Sequence, residues 1–175
     1  MLRGLLDRLV LIAGTIAGGC IPGFIQQYRQ RVGGRLDQVQ ADLAPFQEIA
    51  RRFHDGDLDK LVRHHLASTD QSFHAEGQAL QSMMDALVRL QAMVDGLSGS
   101  VWQQVGFLLR HYDSEIGMAT WGAHVPTFSL DAGSIVIALT VGAVCWLVFH
   151  LLWITGAWVA GMIALRMAPQ PPRLP

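Results

Sequence analysis

Two stretches with no Asp, Glu, Lys or Arg constrain this chain more than any other feature: Leu9 to Tyr28, 20 residues, and Ala132 to Leu165, 34 residues. A hydrocarbon core of about 30 Å takes about 20 apolar residues in a helix, so each stretch is a candidate membrane span. Composition agrees. The chain is 51% hydrophobic and 15% charged, where soluble proteins carry about 25% charged residues, and its mean hydropathy is +0.30. The 103 residues between the stretches, Arg29 to Asp131, hold 9 basic and 13 acidic residues, a net charge of −4, and read as water-soluble. The expected layout is a first span over 5–28, an extramembrane domain over 29–128, a second span over 129–166 and a Pro-rich tail over 167–175.

Two spans put both ends of the chain on one side. Arg3, Arg8, Arg166 and Arg173 flank the ends, while Arg29, Arg31 and Arg35 crowd the loop side. Loops beyond about 60 residues escape the positive-inside rule, so this count decides little. A basic start before a short span resembles an uncleaved signal anchor, which predicts termini inside. The apolar region is longer than the 7–15 residues of a cleaved signal and Asp7 interrupts the basic start, so cleavage is not expected. Ala17-Gly18-Gly19-Cys20 lacks a Leu, Ile or Val three residues before the cysteine, and lipidation is not expected either. Cys20 and Cys145 fall at different depths of the two spans and predict no disulfide.

Gly14-xxx-Gly18 and Gly19-xxx-Gly23 mark the first span; Ser134, Ala138, Gly142 and Cys145 mark one face of the second. Small residues at this spacing let helix backbones approach closely in lipid. They predict that the spans pack on each other, with packing on a partner protein as the rival reading. In the loop, Leu36, Val39, Leu43, Phe46, Ala50 and Phe53 step by 3 and 4, and so do Leu80, Met83, Leu87, Leu90, Val94 and Leu97. That is an a/d stripe in each, right for two helices burying one seam. Pro45 predicts a kink or restart, since it cannot donate to the carbonyl of Ala41. HDGDLD (54–59) reads as a turn, with Asp57 capping a short helix through Leu66. Val101 to Tyr112 suggests another short helix, Gly122 to Thr127 a loop, and Ser129 an N-cap for the second span. No stretch alternates at period two, so the fold class is all-α.

The border at the end of the first stretch is abrupt. Pro22-Gly23 can loosen the helix, Phe24 and Ile25 close the apolar run, and Gln26, Gln27, Tyr28, Arg29, Gln30 and Arg31 follow. Tyr28 has the amphipathic ring favoured at a membrane interface, and Arg29 and Arg31 can snorkel to headgroups. Gly33-Gly34 costs about 2 kcal/mol in a helix relative to Ala-Ala, which predicts a hinge or a close backbone contact. The segment reads either as an ordinary helix exit or as a docking collar for a membrane protein or lipid. The run IPGFIQQYRQRVGGRLDQ, with Pro22, Phe24, Gln26, Gln27, Tyr28, Gln30, Arg31, Gly33 and Gly34 in a Pro-x-Phe-x-Gln-Gln-Tyr-x-Gln-Arg-x-Gly-Gly signature, resembles the bacterial family called domain of unknown function 2937. The resemblance implies a bacterial two-span membrane protein and supplies no activity or catalytic residue; the expected location is the inner membrane.

Chemistry-bearing constellations are scarce. Of the seven histidines, His64 and His65 are adjacent and on a helix diverge by about 100°, whereas shared ligation wants i and i+4. With His54 and His74 they read as solvated faces. Asp55, Asp57 and Asp59 mimic the start of a calcium loop, but Lys60 replaces the required Gly and Leu66 the final Glu. His150 is the one ionisable residue inside a span, a position that defaults to functional suspicion; a hydrogen bond to a carbonyl or a partner helix is its expected use. No phosphate loop, nucleophile triad or basic patch for nucleic acid is present. Enzymatic activity, cofactors and bound metal are not expected.

A helix of 34 residues runs about 51 Å, some 20 Å more than the membrane requires. Trp146, Trp153 and Trp158 spread over too great a depth for one interfacial belt, so some should meet protein. The expected function is a non-catalytic accessory subunit of a larger membrane complex, with the lipid bilayer and integral membrane proteins as partners. A membrane-anchored sensor or binding module and a self-oligomerising scaffold are the alternatives.

Overall fold

The computed structural model describes residues 2–167 as six helices with no strand among them. They are α1 (Leu2–Phe53), α2 (Leu58–Leu66), α3 (Gln71–Gly96), α4 (Val101–His111), α5 (Ser114–Gly122) and α6 (Ala132–Met167). The all-α class holds; the tail over 168–175 lies outside the described residues. Two helices, α1 and α6, are long and apolar enough to cross a membrane. The described residues form two compact units: α1 up to Gly23 together with the chain from Pro126 onward, and Phe24–Val125.

In the unit of 24–125, the two stripes meet as their spacing requires. Leu43, Val62 and Leu80 are buried together, with Val39, Phe46, Leu58, Leu66, Met83, Met84 and Leu87 packed around them. Val62 shows that α2 completes this seam. Gly77 lets α2 and α3 touch: a Cβ there would stand 2.9 Å from the Leu66 amide nitrogen and 3.0 Å from the His65 Cβ. Phe53, the last residue of its stripe, is 75% exposed. The chain reverses just beyond it, where Asp55 (φ 55°) and Gly56 (φ 79°) are left-handed and the Gly56 N–H returns to the Ala50 carbonyl at 3.0 Å.

Helices α2, α3 and α5 each start on an aspartate whose side chain accepts from the first amides. Asp57 accepts from Lys60 N–H at 3.2 Å, as its position predicted. Asp70 caps α3 through Ser72 N–H at 2.8 Å and Ser72 Oγ at 2.6 Å. These bonds, first the hydroxyl and then the amide, hold the Asp70 carboxyl below its ordinary range. Asp55 is likewise held low by its hydrogen bond and ion pair with Lys60, 2.9 Å away. Asp55 therefore serves the turn and Asp57 the cap.

Three local expectations are corrected. Helix α1 runs through Pro45 without a restart; a proline removes one intrahelical bond, and buried Leu43 and Ala50 on either side keep the helix docked. It also runs through Gly33-Gly34 with no hinge, and nothing lies within 4 Å of a Cβ built at either glycine. Buried Val32 and Leu36 hold that turn in place. At the start of α6 the cap is Asp131, whose Oδ1 accepts from Ser134 N–H at 3.0 Å, and Ser129 stands outside the helix. The first turn's free amides go to the side chain three residues before Ser134, and a carboxylate also suits the positive end of the helix dipole.

Candidate functional site

The segment of α1 beginning at Phe24 carries an inward face at helical spacing: Phe24, Gln27, Tyr28, Val32 and Arg35. Its partner is α5 with the turn that follows, an element absent from the sequence expectations. Tyr28 is 1% exposed; its hydroxyl oxygen accepts from the Asp113 N–H at 3.1 Å, and its ring stacks on Tyr112 at 6.1 Å. Asp113 is the N-cap of α5, accepting from Glu115 and Ile116 N–H at 3.0 and 3.1 Å. One residue thus ties the α5 cap to α1 through its backbone and to α5 through its side chain. Gly117, one turn on, leaves room for the Tyr112 ring, which a Cβ there would strike.

Gln27 fixes the other end of α5. Its Nε2 donates to the Val125 carbonyl at 3.1 Å, and its Oε1 faces the His124 Nδ1 at 3.0 Å. Phe24 meets Trp121 and His124 edge-on at 6.0 and 5.6 Å, and Trp121 stacks on His124 at 5.9 Å. Arg35 completes the clamp through Glu115 at 2.6 Å. The interface reading of Tyr28 is therefore corrected: four residues after Phe24, its ring faces α5 and is buried. Of the other border residues, Pro22, Arg31 and Gly33 are half-buried, whereas Gln26, Arg29, Gln30 and Gly34 are exposed. Arg31 borders a cleft of about 410 Å³ with Gln27, Gln30, Thr120 and Ala123.

In the other unit, the small residues meet across α1 and α6. A Cβ at Gly14 would stand 2.9 Å from the Cys145 Cβ and 3.1 Å from the Gly142 Cα; one at Gly18 would stand 2.7 Å from the Val141 Cβ and 3.1 Å from the Ala138 Cα. A Cβ at Gly142 would meet Thr15 and the Leu11 carbonyl, one at Gly19 the ring of Phe128, and one at Gly23 would stand 2.8 Å from the Thr127 carbonyl. Ser134 and Ala138 are buried here too, Ser134 with its hydroxyl on Asp131. Cys20 and Cys145 are free thiols.

His150 takes up the other end of α1. Its Nδ1 lies 3.4 Å from Arg3 Nη2, its ring stacks on Trp146 at 5.5 Å, and the Arg3 guanidinium sits 5.8 Å from the Trp153 ring. Trp146 and Trp153 are each 38% exposed while Trp158 is 70% exposed. Among the loop histidines, the His54 and His64 rings lie 5.4 Å apart and those of His64 and His65 6.2 Å apart, and among the described residues no three of His, Cys, Asp and Glu group as metal ligands. His65 corrects the solvated-face reading. It is 8% exposed, edge-on to Phe73 at 5.3 Å, because Gly77 draws α3 against α2 there.

Sequence reasoning missed Asp113, Glu115, Trp121 and His124. The Asp113-Ser114-Glu115 start is an N-cap signature that points to α5, but nothing in the sequence pairs it with residues some 85 positions earlier. No curated protein and no solved structure matches the chain. A family model described as protein of unknown function (DUF2937) matches residues 2–161, and the chain belongs to that family.

Proposed function

We propose that this protein is a non-catalytic accessory subunit of a larger bacterial inner-membrane complex, crossing the bilayer through α1 and α6 with its ends in the cytoplasm and Phe24–Val125 in the periplasm. The observation that carries the reading is the far part of α6. The helix has 36 residues, about 54 Å, against a hydrocarbon core of about 30 Å. Beyond Trp153, the large side chains Ile154, Trp158, Val159 and Met162 are 40, 70, 49 and 53% exposed. An apolar helix that outruns the bilayer needs a protein cover, and lipid association alone supplies none past the headgroups.

The test is purification of the tagged full chain from its native membrane in mild detergent, with mass spectrometry of whatever elutes in fixed ratio. A stoichiometric membrane protein supports the subunit reading and names the process it serves. A monodisperse monomer overturns it. A homo-oligomer with nothing else bound overturns it in favour of a self-assembling scaffold.

A further inference from the structure

Helix α5 has two faces of opposite character. Ile116, Gly117 and Thr120 are buried against the rest of the unit. Met118 and Trp121, with Val125 just past the helix end, are 72, 71 and 66% exposed. Met118 and Trp121, three residues apart on the outer face of α5, and Val125 beyond its end are large apolar side chains left exposed, a patch that asks for a partner.

The clamp identifies that partner. The Gln27 hydrogen bond to the Val125 carbonyl holds side by side the two points at which this unit joins the apolar helices. N-terminal to Phe24 the chain is the charge-free run beginning at Leu9, and seven residues after Val125 comes Ala132, the start of α6. A unit tethered by membrane helices at both points has the bilayer surface at that end. Trp121 suits such a surface, having an apolar body with one N–H, and Phe24 and His124 hold its ring in place. Arg31 stands in the adjoining cleft, and no ion pair among the described residues engages it. Its guanidinium is suited to a headgroup phosphate. We propose that the Met118–Trp121–Val125 face lies in the headgroup–acyl boundary of an anionic phospholipid bilayer, with Arg31 at phosphate level.

The inference rests on the two-span reading, and the experiment separates the two. The full chain, with Cys20→Ala and Cys145→Ala, carries one nitroxide at Met118→Cys, Val125→Cys, Val144→Cys on α6 or Val88→Cys on α3. Each variant is reconstituted in phosphatidylglycerol–phosphatidylcholine vesicles, and relaxation by oxygen is compared with relaxation by a water-soluble nickel chelate. The expected result is that labels at 118 and 125 respond more to oxygen, as at 144, while the label at 88 responds more to nickel. Labels at 118 and 125 that behave like 88, with 144 still lipid-exposed, overturn the inference alone. Shielding of 118 and 125 from both reagents overturns it in favour of a protein contact. A nickel-accessible label at 144 overturns the two-span reading and this inference with it. Val125→Cys keeps the test open should Met118→Cys fail to fold.

Discussion

Before Gly23 and after Phe24, α1 is one helix holding its neighbours by opposite means. In its first part the contact face is glycine, and backbones approach until a single added carbon at Gly18 would stand 2.7 Å from the Val141 Cβ. In its second part the face is Phe24, Tyr28, Val32, Leu36 and Leu43, the last four nearly or wholly buried, with Gln27 and Arg35 tying polar groups around them. Lipid tails are as apolar as leucine, so in the bilayer proposed for this part apolar bulk wins nothing and close dispersion contact decides the pairing. In water, burying bulk is the main drive, and each polar group taken inside needs a partner. A helix that crosses from lipid to water, as proposed for α1, must change its packing chemistry, and the change in α1 falls within a turn of Gly23.

Substitutions that suit one half should fail in the other. The largest effect is expected from Tyr28→Ala, which empties a buried aromatic site at a cost of about 3–5 kcal/mol and strands the Asp113 amide. Hydrogen exchange should show α5 deprotected while spin-label distances between α1 and α6 stay unchanged; equal loss in both would break the comparison. Gly18→Val is expected next, at about 1–3 kcal/mol from overpacking. It should lengthen the α1–α6 distances and leave α5 protected. Asp113→Ala removes a cap worth about 1 kcal/mol, and its effect should be confined to exchange in α5, a sharper version of the first test. The smallest effect is a pH dependence at α3. The Asp70 carboxyl sits below its ordinary 3.8 in the folded chain, so its contribution is present above that value and fades as pH falls through the folded pKa. The Ser72 amide resonance should therefore move as the pH falls below the ordinary Asp range, and in Asp70→Asn it should not move.

Much of this was visible in the residues. Charge-free length located both apolar helices, 3–4 spacing located the seam of Leu43 and Leu80, and Asp57 was recognisable as a cap. Pro45 and Gly33-Gly34 misled because local propensity was weighed without the packing on either side, which outweighs a cost of about 1 kcal/mol per glycine. Tyr28 misled for another reason. An amphipathic ring beside arginines fits a membrane interface and a hydrogen-bonded core equally well, and only its contact with α5 separates them.

The sequence by itself determined the all-helical class, the two apolar helices and the polar middle, because hydropathy and period are local properties that neighbours impose on one another. Tertiary structure alone decided which aromatic goes inside and which stays out, Tyr28 or Trp121, and what His150 and His65 touch. Those outcomes depend on elements separated by tens to more than a hundred residues meeting at one place, as Tyr28 meets Asp113 and Arg3 meets His150. No short-range pattern carries the distance between residues so far apart, since that is set by how all the intervening helices pack.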